Sequence, residues 1–350
     1  MKRPIPILLI FIIVLISCER DFDIDTATSG VKLFLQCCPG PGDTTILQLN
    51  RTVPIGSKAD TTEFLKSADI DVIVNGTALR PARAMDLAGT VPYGSWYVVA
   101  PLKAGDEVAV KARIDGLEPI SATTSIPGPA PRFTYKCGAV QVMDYYDYTQ
   151  MSVPDSVHVT FRDDPATEDW YGLALLCERT IVDLDNGEKL VEQVNAAPVE
   201  GTVFEATEYI DIPFNGWAFG YDRSLVRVWP DAGFSGQEVT LGMPLTGFWL
   251  DGTFAVNGDD EYARFFVAGG VDDNGEFIEG NFAEHYRYKV RLYRFSREFF
   301  NYGKALDHIR NNSLANLGLA PAAYAYTNVI GGVGILAGWT VRETDWLSLF

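Results

Sequence analysis

Acidic side chains are the most abundant groups in this sequence that could do chemistry. Asp and Glu number 46, against 28 Lys and Arg and three histidines. Neighbouring carboxylates such as Asp163-Asp164 could act as a general acid and a general base, as in glycoside hydrolysis. In a chain with a formal charge of −18, however, such pairs are typical of solvated turns. We therefore expect Asp163-Asp164, like the acidic run at 259–261, to lie on the surface.

The other residue types that catalysis requires do not form a recognisable constellation. The histidines, which are His158, His285 and His308, share no metal-ligand spacing such as H-x-x-x-H. The segment GFSG at 233–236 is one residue short of a G-x-S-x-G nucleophile motif, and no phosphate-binding glycine motif occurs. The sequence therefore predicts no catalytic residue and a protein that is not an enzyme.

Two acidic turns contain enough oxygen ligands for a metal-site hypothesis. One contains Asp272, Asp273, Asn274 and Glu276, and the other contains Asp183, Asp185, Asn186 and Glu188. Ca²⁺ takes about six to eight oxygen ligands, and turns of this composition supply several of them. Neither turn has the spacing of an EF-hand loop, and both are equally typical of D-N-G hairpin turns. The sequence therefore predicts no cofactor, with Ca²⁺ at one of these turns as the alternative.

Four tryptophans divide into two pairs by their surroundings. Trp96 and Trp229 lie within predicted strands and are expected in the core. Trp217, in PFNGWAFGYDR, and Trp249, in TGFWLDGTF, lie among turn residues. An exposed aromatic ring flanked by amide and acid groups is suited to bind a sugar or a peptide. Trp217 and Trp249 are therefore the candidate ligand-binding residues, with burial in the core as the alternative.

Residues 1–17 have the features of a secretory signal peptide. Lys2 and Arg3 precede an apolar run from Pro6 to Ser17, which is shorter than the roughly 20 residues of a membrane-spanning helix. The sequence Leu15-Ile16-Ser17-Cys18 resembles the lipobox of bacterial lipoproteins, which implies cleavage before Cys18 and acylation of that residue. An ordinary signal peptide that happens to contain Cys18 is the alternative.

An acidic stretch follows this lipidation candidate. Residues 18–30 include Asp21, Asp23 and Asp25 and have no periodic apolar face, so we expect them to form a polar tether. The stretch resembles the surface-export signal of Bacteroidota lipoproteins, and a plain solvated linker is the alternative. The sequence thus predicts a protein that is lipid-anchored in the outer membrane and exposed at the cell surface.

Charge and cysteine content restrict the partners and the covalent links. Removal of Lys2 and Arg3 would change the formal charge from −18 to −20, so nucleic acid, which proteins bind through Lys and Arg, is not an expected partner. The cysteines other than Cys18 are Cys37, Cys38, Cys137 and Cys177, which allow three disulfide pairings and show no C-x-x-C spacing. Burial of these residues as small apolar side chains is the alternative to pairing.

Alternating apolar residues and frequent turn signals predict an all-β fold. Within residues 31–126, Asn75-Gly76 is a strong hairpin signal, and Val108, Val110 and Ala112 alternate along one strand. Short strands separated by turns at intervals of about ten residues are typical of Ig-like β-sandwiches. Three prolines at 127–132 cannot continue a strand ladder, so this segment is interpreted as a linker to a second β-rich domain at 133–350.

The second domain is expected to contain one late helix. His285 to Phe295 alternates as a half-buried strand, and Ser296 can cap a helix that ends near Asn311. Apolar residues in that helix recur at spacings of three and four. The glycines of the terminal TNVIGGVGILAGW indicate either a bulge or close backbone approach within a buried strand. The prediction is two Ig-like β-sandwich domains with an α-helix at about 296–311.

Six stretches occur along the chain in a characteristic order: the lipobox, LQLNRTVP, GDEVAVKARIDGLEPISATTSIP, FRDDPATEDWYGLAL, YRFSREFFNYGKAL and TNVIGGVGILAGW. In this order they resemble a Bacteroidota outer-membrane lipoprotein family known as domain of unknown function 4249. The Cys37-Cys38 pair and the segment APAAYAYTN depart from the family pattern. Members of the family are often encoded beside TonB-dependent outer-membrane receptors, so the resemblance implies such a receptor as a partner. It implies no chemical reaction.

Three functions follow as expectations. The first is a non-catalytic accessory or ligand-capturing partner of a TonB-dependent receptor, with a glycan or peptide as the ligand. The second is a structural or adhesive cell-surface protein, which would expose or donate an edge strand. The third is a glycan-active hydrolase that uses two carboxylates.

Overall fold

The chain is mostly β-strand, with one long helix near its end, as the sequence predicts. The computed structural model describes residues 30–52, 68–85, 91–145, 149–154, 156–183, 187, 189–196, 199–216, 219, 225–244, 282–312 and 326–347. For the described residues at 140–154, 177, 179–183, 189–196 and 282–286, the structure describes the backbone but not the side chains.

The described residues form twenty strands and two α-helices. The strands before the proline-rich segment are β1 (Leu33–Cys37), β2 (Gly42–Arg51), β3 (Asp69–Val74), β4 (Thr77–Leu79), β5 (Ala82–Arg83), β6 (Trp96–Leu102), β7 (Glu107–Arg113) and β8 (Ile120–Ser125). The strands after it are β9 (Phe133–Cys137), β10 (Val140–Tyr145), β11 (Thr149–Pro154), β12 (Ser156–Arg162), β13 (Trp170–Asp183), β14 (Lys189–Ala196), β15 (Ile210–Pro213), β16 (Leu225–Pro230), β17 (Glu238–Pro244), β18 (Phe282–Phe295), β19 (Val333–Leu336) and β20 (Trp339–Glu343). The helices are α1 (Val203–Ala206) and α2 (Arg297–Asn311), and a 3₁₀ turn spans Asp231–Gly233.

The first core lies between two sheets. One sheet has the strand order β19-β1-β2-β6-β5, and the other has the order β4-β3-β7-β8. Alternate residues of each strand face inward, so that Leu33 and Leu35 of β1 share a core with Ile70 and Val72 of β3. Trp96 is partly buried at the edge of this core. The arrangement is a β-sandwich, in agreement with the alternating pattern of the sequence.

The hairpin predicted at Asn75-Gly76 joins β3 to β4. Asn75 has a φ of 48° and Gly76 a φ of 81°, and Val74 pairs with Thr77. Two consecutive positive φ values define the tight turn that Asn-Gly favours, because both residues tolerate this conformation. The hairpin prediction is confirmed.

Strand β19 comes from the glycine-rich end of the chain and returns to the first sandwich. It pairs in parallel with β1, with Phe34 opposite Val333. Gly334 has a φ of 113°, and a Cβ at this position would lie 1.9 Å from the carbonyl oxygen of Leu35. Only glycine permits this approach. The prediction of close backbone approach in this segment is confirmed.

The second core lies between the three-stranded sheet β17-β12-β9 and a larger sheet. The larger sheet has the order β15-β16-β13-β18-β20, and β14 pairs with the far end of β13. Val159 and Phe161 of β12 pack in this core with Tyr171 of β13, Trp229 of β16 and Leu292 of β18. Trp229 is fully buried, as predicted. These sheets form a second sandwich.

Helix α2 covers the outer face of the larger sheet. It follows Ser296 and ends at Asn311, so its predicted bounds are confirmed. Phe299 and Tyr302 are buried in a third core that also contains Phe295 and Phe214. The ring centroids of Phe295 and Phe299 lie 3.9 Å apart in a stacked arrangement. The large sheet is therefore covered by apolar side chains on both faces.

The proline-rich segment at 127–132 connects β8 to β9 and packs against β20. Thr340 Oγ1 donates to the carbonyl of Gly128 at 2.8 Å, and Arg342 Nε donates to the carbonyl of Ala130 at 3.1 Å. A second connection between the two sandwiches lies near the C-terminal end of the chain, because β19 belongs to the first sandwich and β20 to the second. The domain bounds at 126 and 133 stay a prediction.

Neither helix in the described part of the chain has the length and apolar character that a membrane-spanning helix requires.

Candidate functional site

Three aspartates from separate parts of the chain meet at one end of the second sandwich. Asp163 follows β12, Asp169 precedes β13 and Asp231 follows β16, and each residue is at most 4% exposed. One carboxylate oxygen of each lies within 4.8 Å of those of the other two. Together with Tyr171 and Arg294, which contact them, these residues form what we call the aspartate network.

Strand alternation explains why the aspartates face inward. On β12, Val159 and Phe161 are buried, and Asp163 takes the next position of the same series. On the other sheet, Asp169 stands two residues before the buried Tyr171, and Asp231 stands two residues after the buried Trp229. The carboxylates thus take the last inward positions of three strands, where the apolar core ends.

The register of the large sheet brings the network together. Tyr171 of β13 lies opposite Trp229 of β16 on one side and opposite Arg294 of β18 on the other. One row further, Asp231 N–H donates to the carbonyl of Asp169 at 2.9 Å, and Asp169 N–H donates to Oδ2 of Asp231 at 3.0 Å. Asp169 and Asp231 are therefore fixed beside each other by the backbone.

The hydroxyl of Tyr171 lies between two carboxylates. Its oxygen is 2.7 Å from Oδ1 of Asp163 and 3.0 Å from Oδ2 of Asp169. Asp163 also accepts the backbone N–H of Gly236 at its Oδ2, at 2.7 Å. A phenol has a single proton to donate, so Tyr171 can satisfy one of its two carboxylate neighbours at a time.

Arg294 supplies the positive charge of the network. Its Nε donates to Oδ1 of Asp169 at 2.6 Å. The side chain of Arg294 is 13% exposed and that of Asp169 is 3% exposed. Arg294 Nη2 donates to Thr167 Oγ1 at 2.9 Å, and Thr167 Oγ1 donates to Oδ2 of Asp169 at 3.0 Å. Arg294 also packs on the proline-rich segment, where a Cβ on Gly128 would lie 2.7 Å from Nη1.

The network has more negative than positive charge. Three carboxylates face one guanidinium, which leaves two negative charges when all the acids are ionised. Burial, and then the charges of Asp163 and Asp169, raise the pKa of Asp231 above its ordinary value, although the backbone N–H of Asp169 opposes the shift. Burial and the same two carboxylates also raise the pKa of Tyr171, so its phenol stays a neutral donor.

This geometry is suited to hold a cation rather than to contact a large substrate. Carboxylate oxygens at this spacing are the ligands that Ca²⁺ and Mg²⁺ prefer. A sugar ring, by contrast, must reach both carboxylates of a hydrolase, and here the three aspartates and Tyr171 are at most 4% exposed. The network is an internal polar centre at the end of a sandwich.

Most of the residues that the sequence singled out lie outside the described residues. They are Cys18, Trp217, Trp249, Asp272, Asp273, Asn274, Glu276, Asp185, Asn186 and Glu188, and the hypotheses of lipidation, ligand binding and Ca²⁺ binding at these positions stay predictions. Asp183 is the last residue of β13, where the backbone alone is described. His158 and His285 lie on strands, and His308 is exposed on α2.

The expectation that Asp163-Asp164 lies on a solvated turn is wrong for Asp163. Asp164 is exposed, and its Oδ1 accepts the N–H of Ala166 at 3.0 Å. Asp163 is buried because it continues the inward series of β12 and receives hydrogen bonds from Tyr171 and Gly236. The signal that could have found the network is an acid two residues away from an inward aromatic residue. It follows that residue at 163 and 231 and precedes it at 169.

Three of the cysteines are free thiols. Cys37 and Cys38 are buried and Cys137 is partly buried, so burial describes these residues better than the three pairings that the sequence allows. Burial raises the pKa of Cys37 to about 12, and burial followed by the charge of Cys37 raises the pKa of Cys38. Cys37 packs in the core of the first sandwich and Cys38 in the core beneath α2.

The fold and the network define an all-β protein of two sandwiches with a buried carboxylate centre in the second. The chain belongs to the family described as a domain of unknown function (DUF4249), whose model matches residues 19–345. No curated protein and no solved structure matches the chain.

Proposed function

We propose that this protein is a non-catalytic outer-membrane lipoprotein that serves as an accessory or ligand-capturing partner of a TonB-dependent receptor. The observation that carries the proposal is the sequence Leu15-Ile16-Ser17-Cys18, followed by a stretch at 19–25 with four acidic residues and then by the first strand at Leu33. Acylation of Cys18 would anchor the folded body, because each buried methylene contributes about 0.8 kcal/mol to membrane binding.

The tether gives the folded body a defined reach. Residues 18–30 precede β1 and are mostly polar, and a fully extended segment of this length spans at most about 45 Å. An anchored body would therefore lie within about 45 Å of the membrane surface. This reach suits a module that covers or feeds a receptor in the same membrane, with Trp217 and Trp249 as candidate contacts for a glycan or peptide ligand.

The family resemblance supports the choice of partner, and the buried network supports a role without catalysis. Members that resemble this chain are often encoded beside TonB-dependent receptors. Among the described residues, the one group of three carboxylates close enough to share a ligand is internal to the second sandwich. A binding function therefore accounts for more of the observations than hydrolysis does.

The lipid anchor is tested with Cys18→Ala. We expect the variant to lose incorporation of a labelled fatty acid and to accumulate as an uncleaved precursor, while the circular dichroism of the body is unchanged. Cys137→Ala, which alters a partly buried cysteine in β9, is the matched control and should be acylated normally. Fatty-acid label on Cys18→Ala at the wild-type level would contradict the anchor.

The position on the cell surface is tested by protease treatment of intact cells. If the acidic stretch is an export signal, replacement of Asp21, Asp23 and Asp25 by Asn should leave acylation intact and reduce digestion of the protein. Equal digestion of wild type and variant would identify the stretch as a plain linker. No digestion of either would place the protein on the inner face of the membrane.

The partner is tested by mild crosslinking and purification from native membranes. We expect a TonB-dependent receptor to be recovered with the wild-type protein and not with an unrelated lipoprotein that carries the same tag. Recovery of the protein alone, from a preparation in which complexes of other membrane proteins stay intact, would contradict the proposal.

A structural or adhesive role is the second candidate, because β9 is an edge strand in the described part of the sheet. β9 pairs with β12 on one side, and its central residues Thr134, Tyr135 and Lys136 are exposed. An exposed edge can accept a strand from another chain, although a lysine on the edge opposes such pairing. Sedimentation that yields a monomer at every concentration would argue against this role.

A further inference from the structure

We propose that Asp163, Asp169, Asp231 and Ser296 form a binding site for one hard divalent cation, of the class of Ca²⁺ and Mg²⁺. The site is distinct from the acidic turns that the sequence suggested for Ca²⁺, and it does not depend on the receptor partnership.

The spacing of the carboxylates fits a single ion. An ion bound at about 2.3–2.6 Å from each of three oxygens requires that those oxygens lie no more than about 5 Å apart. One oxygen from each of Asp163, Asp169 and Asp231 meets this condition, since all three lie within 4.8 Å of one another. The backbone bonds between Asp169 and Asp231 hold two of these ligands in place.

The charge of the network also fits a divalent cation. Arg294 neutralises one of the three carboxylates, so two negative charges stay uncompensated in a buried position when all are ionised. Isolated buried charges are costly because water cannot solvate them. One divalent cation would bring the formal charge of the site to zero.

The position of the buried Ser296 side chain points to a ligand independently of the carboxylates. Its extended backbone, with φ of −73° and ψ of 158°, continues β18 beyond Phe295, and its N–H donates to the carbonyl of Gly338 in line with the β20 ladder. Strand alternation therefore puts its side chain on the face of Arg294, and the β13–β18 register puts it beside Asp169.

The hydroxyl of Ser296 has no hydrogen-bond partner within the described structure. Ser296 is 9% exposed, and although it precedes α2, its Oγ caps none of the helix N–H groups. A buried hydroxyl without a partner is uncommon, because an unmade hydrogen bond costs free energy. A cation beside Asp169 would accept a lone pair of this oxygen and account for its position.

A proton on Asp231 is the competing way to reduce the charge. Burial and the neighbouring carboxylates favour the protonated acid, but one proton would leave one negative charge and would give Ser296 no partner. Proton and cation have opposite signatures, because cation binding to carboxylates strengthens as pH rises. The pH dependence therefore distinguishes the two.

The test is calorimetric titration of the full chain in detergent micelles, freed of metal with EDTA, with CaCl₂ or MgCl₂ as the probe. We expect one cation to bind per chain at pH 8. The melting temperature should rise by roughly 5–10 °C at a free cation concentration of about 100 times Kd. The cation with the lower Kd identifies the preferred ion.

Two variants locate the site. Asp231→Asn keeps the shape of the side chain and should abolish the rise in melting temperature, whereas Glu168→Gln, which removes an exposed charge next to the network, should leave it unchanged. Ser296→Ala changes no charge and removes no cap, so it serves if Asp231→Asn fails to fold. It should weaken binding about tenfold, as loss of a supporting ligand does in other metal sites.

Three results would overturn the proposal. The first is the absence of both binding heat and a melting shift with either cation at pH 8. The second is an equal shift in wild type, Asp231→Asn and Ser296→Ala, which would assign binding to other acids of the chain. The third is a stability that rises on acidification to pH 5 and does not respond to cations, which would identify the missing charge as a proton.

Discussion

Arg294 and Asp169 form a buried ion pair that joins the two central strands of the large sheet. The guanidinium Nε donates to the carboxylate Oδ1 at 2.6 Å, and Asp169 is 3% exposed. Asp169 stands at the start of β13 and Arg294 near the end of β18, so the pair closes the end of the sandwich where the apolar core stops. The Arg294–Asp169 pair stabilises the fold only when both charged side chains are present, because either charge alone would be buried without a counter-charge.

Replacement of Arg294 by Met should destabilise the protein strongly. Met keeps much of the apolar length but leaves Asp169 buried without its counter-charge, and loss of one partner of a buried pair costs about 3–5 kcal/mol. Urea denaturation measures the change in the free energy of unfolding. Arg310→Met, on the exposed side of α2, is the matched control and should change it by less than about 0.5 kcal/mol. Equal effects of the two substitutions would show that the pair does not stabilise the fold.

The strands and the late helix could be predicted because their signals are local. Tyr288, Val290 and Leu292 alternate in the sequence and are all buried in the second core. The helix could be predicted at this place because a Ser and an apolar stripe fall together in the sequence, although the Ser296 side chain makes no capping hydrogen bond. Neighbours in sequence determine such patterns, so one chain is sufficient to read them.

The aspartate network could not be predicted because its members become neighbours only in the folded sheets. Asp163, Asp169 and Asp231 follow or precede different strands, and a shift of one residue in the register of β16 against β13 would turn Asp231 away from the others. The acidic composition also gave no indication of which acids are buried, since most acids of such a chain are solvated. The parallel return of β19 to β1 was likewise beyond local patterns, although the glycines that permit it were visible.

A second prediction concerns the pH dependence of stability at Glu343. Its carboxylate accepts hydrogen bonds from Lys289 Nζ at 2.8 Å and from Arg291 Nε at 3.0 Å. Partial burial raises the pKa of Glu343, but these bonds and charges outweigh it and hold the pKa below the ordinary value. The folded state therefore favours the ionised acid, and the stability that it adds is present at neutral pH and is lost as the pH falls through the lowered pKa.

Glu343→Gln should accordingly lower the free energy of unfolding by about 1 kcal/mol at pH 7, a modest value because solvent screens the half-exposed group. The difference from wild type should vanish in acid, where the wild-type side chain is protonated. Denaturant unfolding at several pH values measures this. Glu107→Gln, at an exposed position on β7, should show no such dependence. A Glu343→Gln effect that stays constant down to pH 3 would contradict the assigned ion pairs.

A third prediction concerns the reactivity of the buried thiols. With a pKa of about 12, Cys37 would be ionised in about one molecule in ten thousand at pH 8, and the thiolate is the reactive form. We expect iodoacetamide to leave Cys37 and Cys38 unmodified in the folded protein and to modify both in guanidinium chloride, as read by mass spectrometry of the peptides. Cys137, which is partly buried, should react faster in the folded state. Rapid native labelling of Cys37 would show that the core between the sheets opens readily.

The last prediction separates the two costs of placing a side chain at a glycine with positive φ. Gly76 has a φ of 81° and open space where a Cβ would lie, whereas Gly334 has a φ of 113° and the Leu35 carbonyl oxygen at 1.9 Å from such a Cβ. Gly76→Ala should therefore cost about 1 kcal/mol from backbone strain alone.

Gly334→Ala should cost substantially more, about 2–4 kcal/mol, because β19 must also move away from β1 to relieve the clash. Urea unfolding compares the free energies, and amide hydrogen exchange locates the change. Protection should fall in β1 and β19, which pair through Leu35 and Gly334, and should persist in β13 and β18. If Gly334→Ala matched Gly76→Ala in stability and kept the protection of β1, the return of the chain to the first sandwich would not depend on close approach at Gly334. The larger effect is expected because a backbone oxygen in a paired strand, unlike the end of a flexible side chain, has no free space into which it can move.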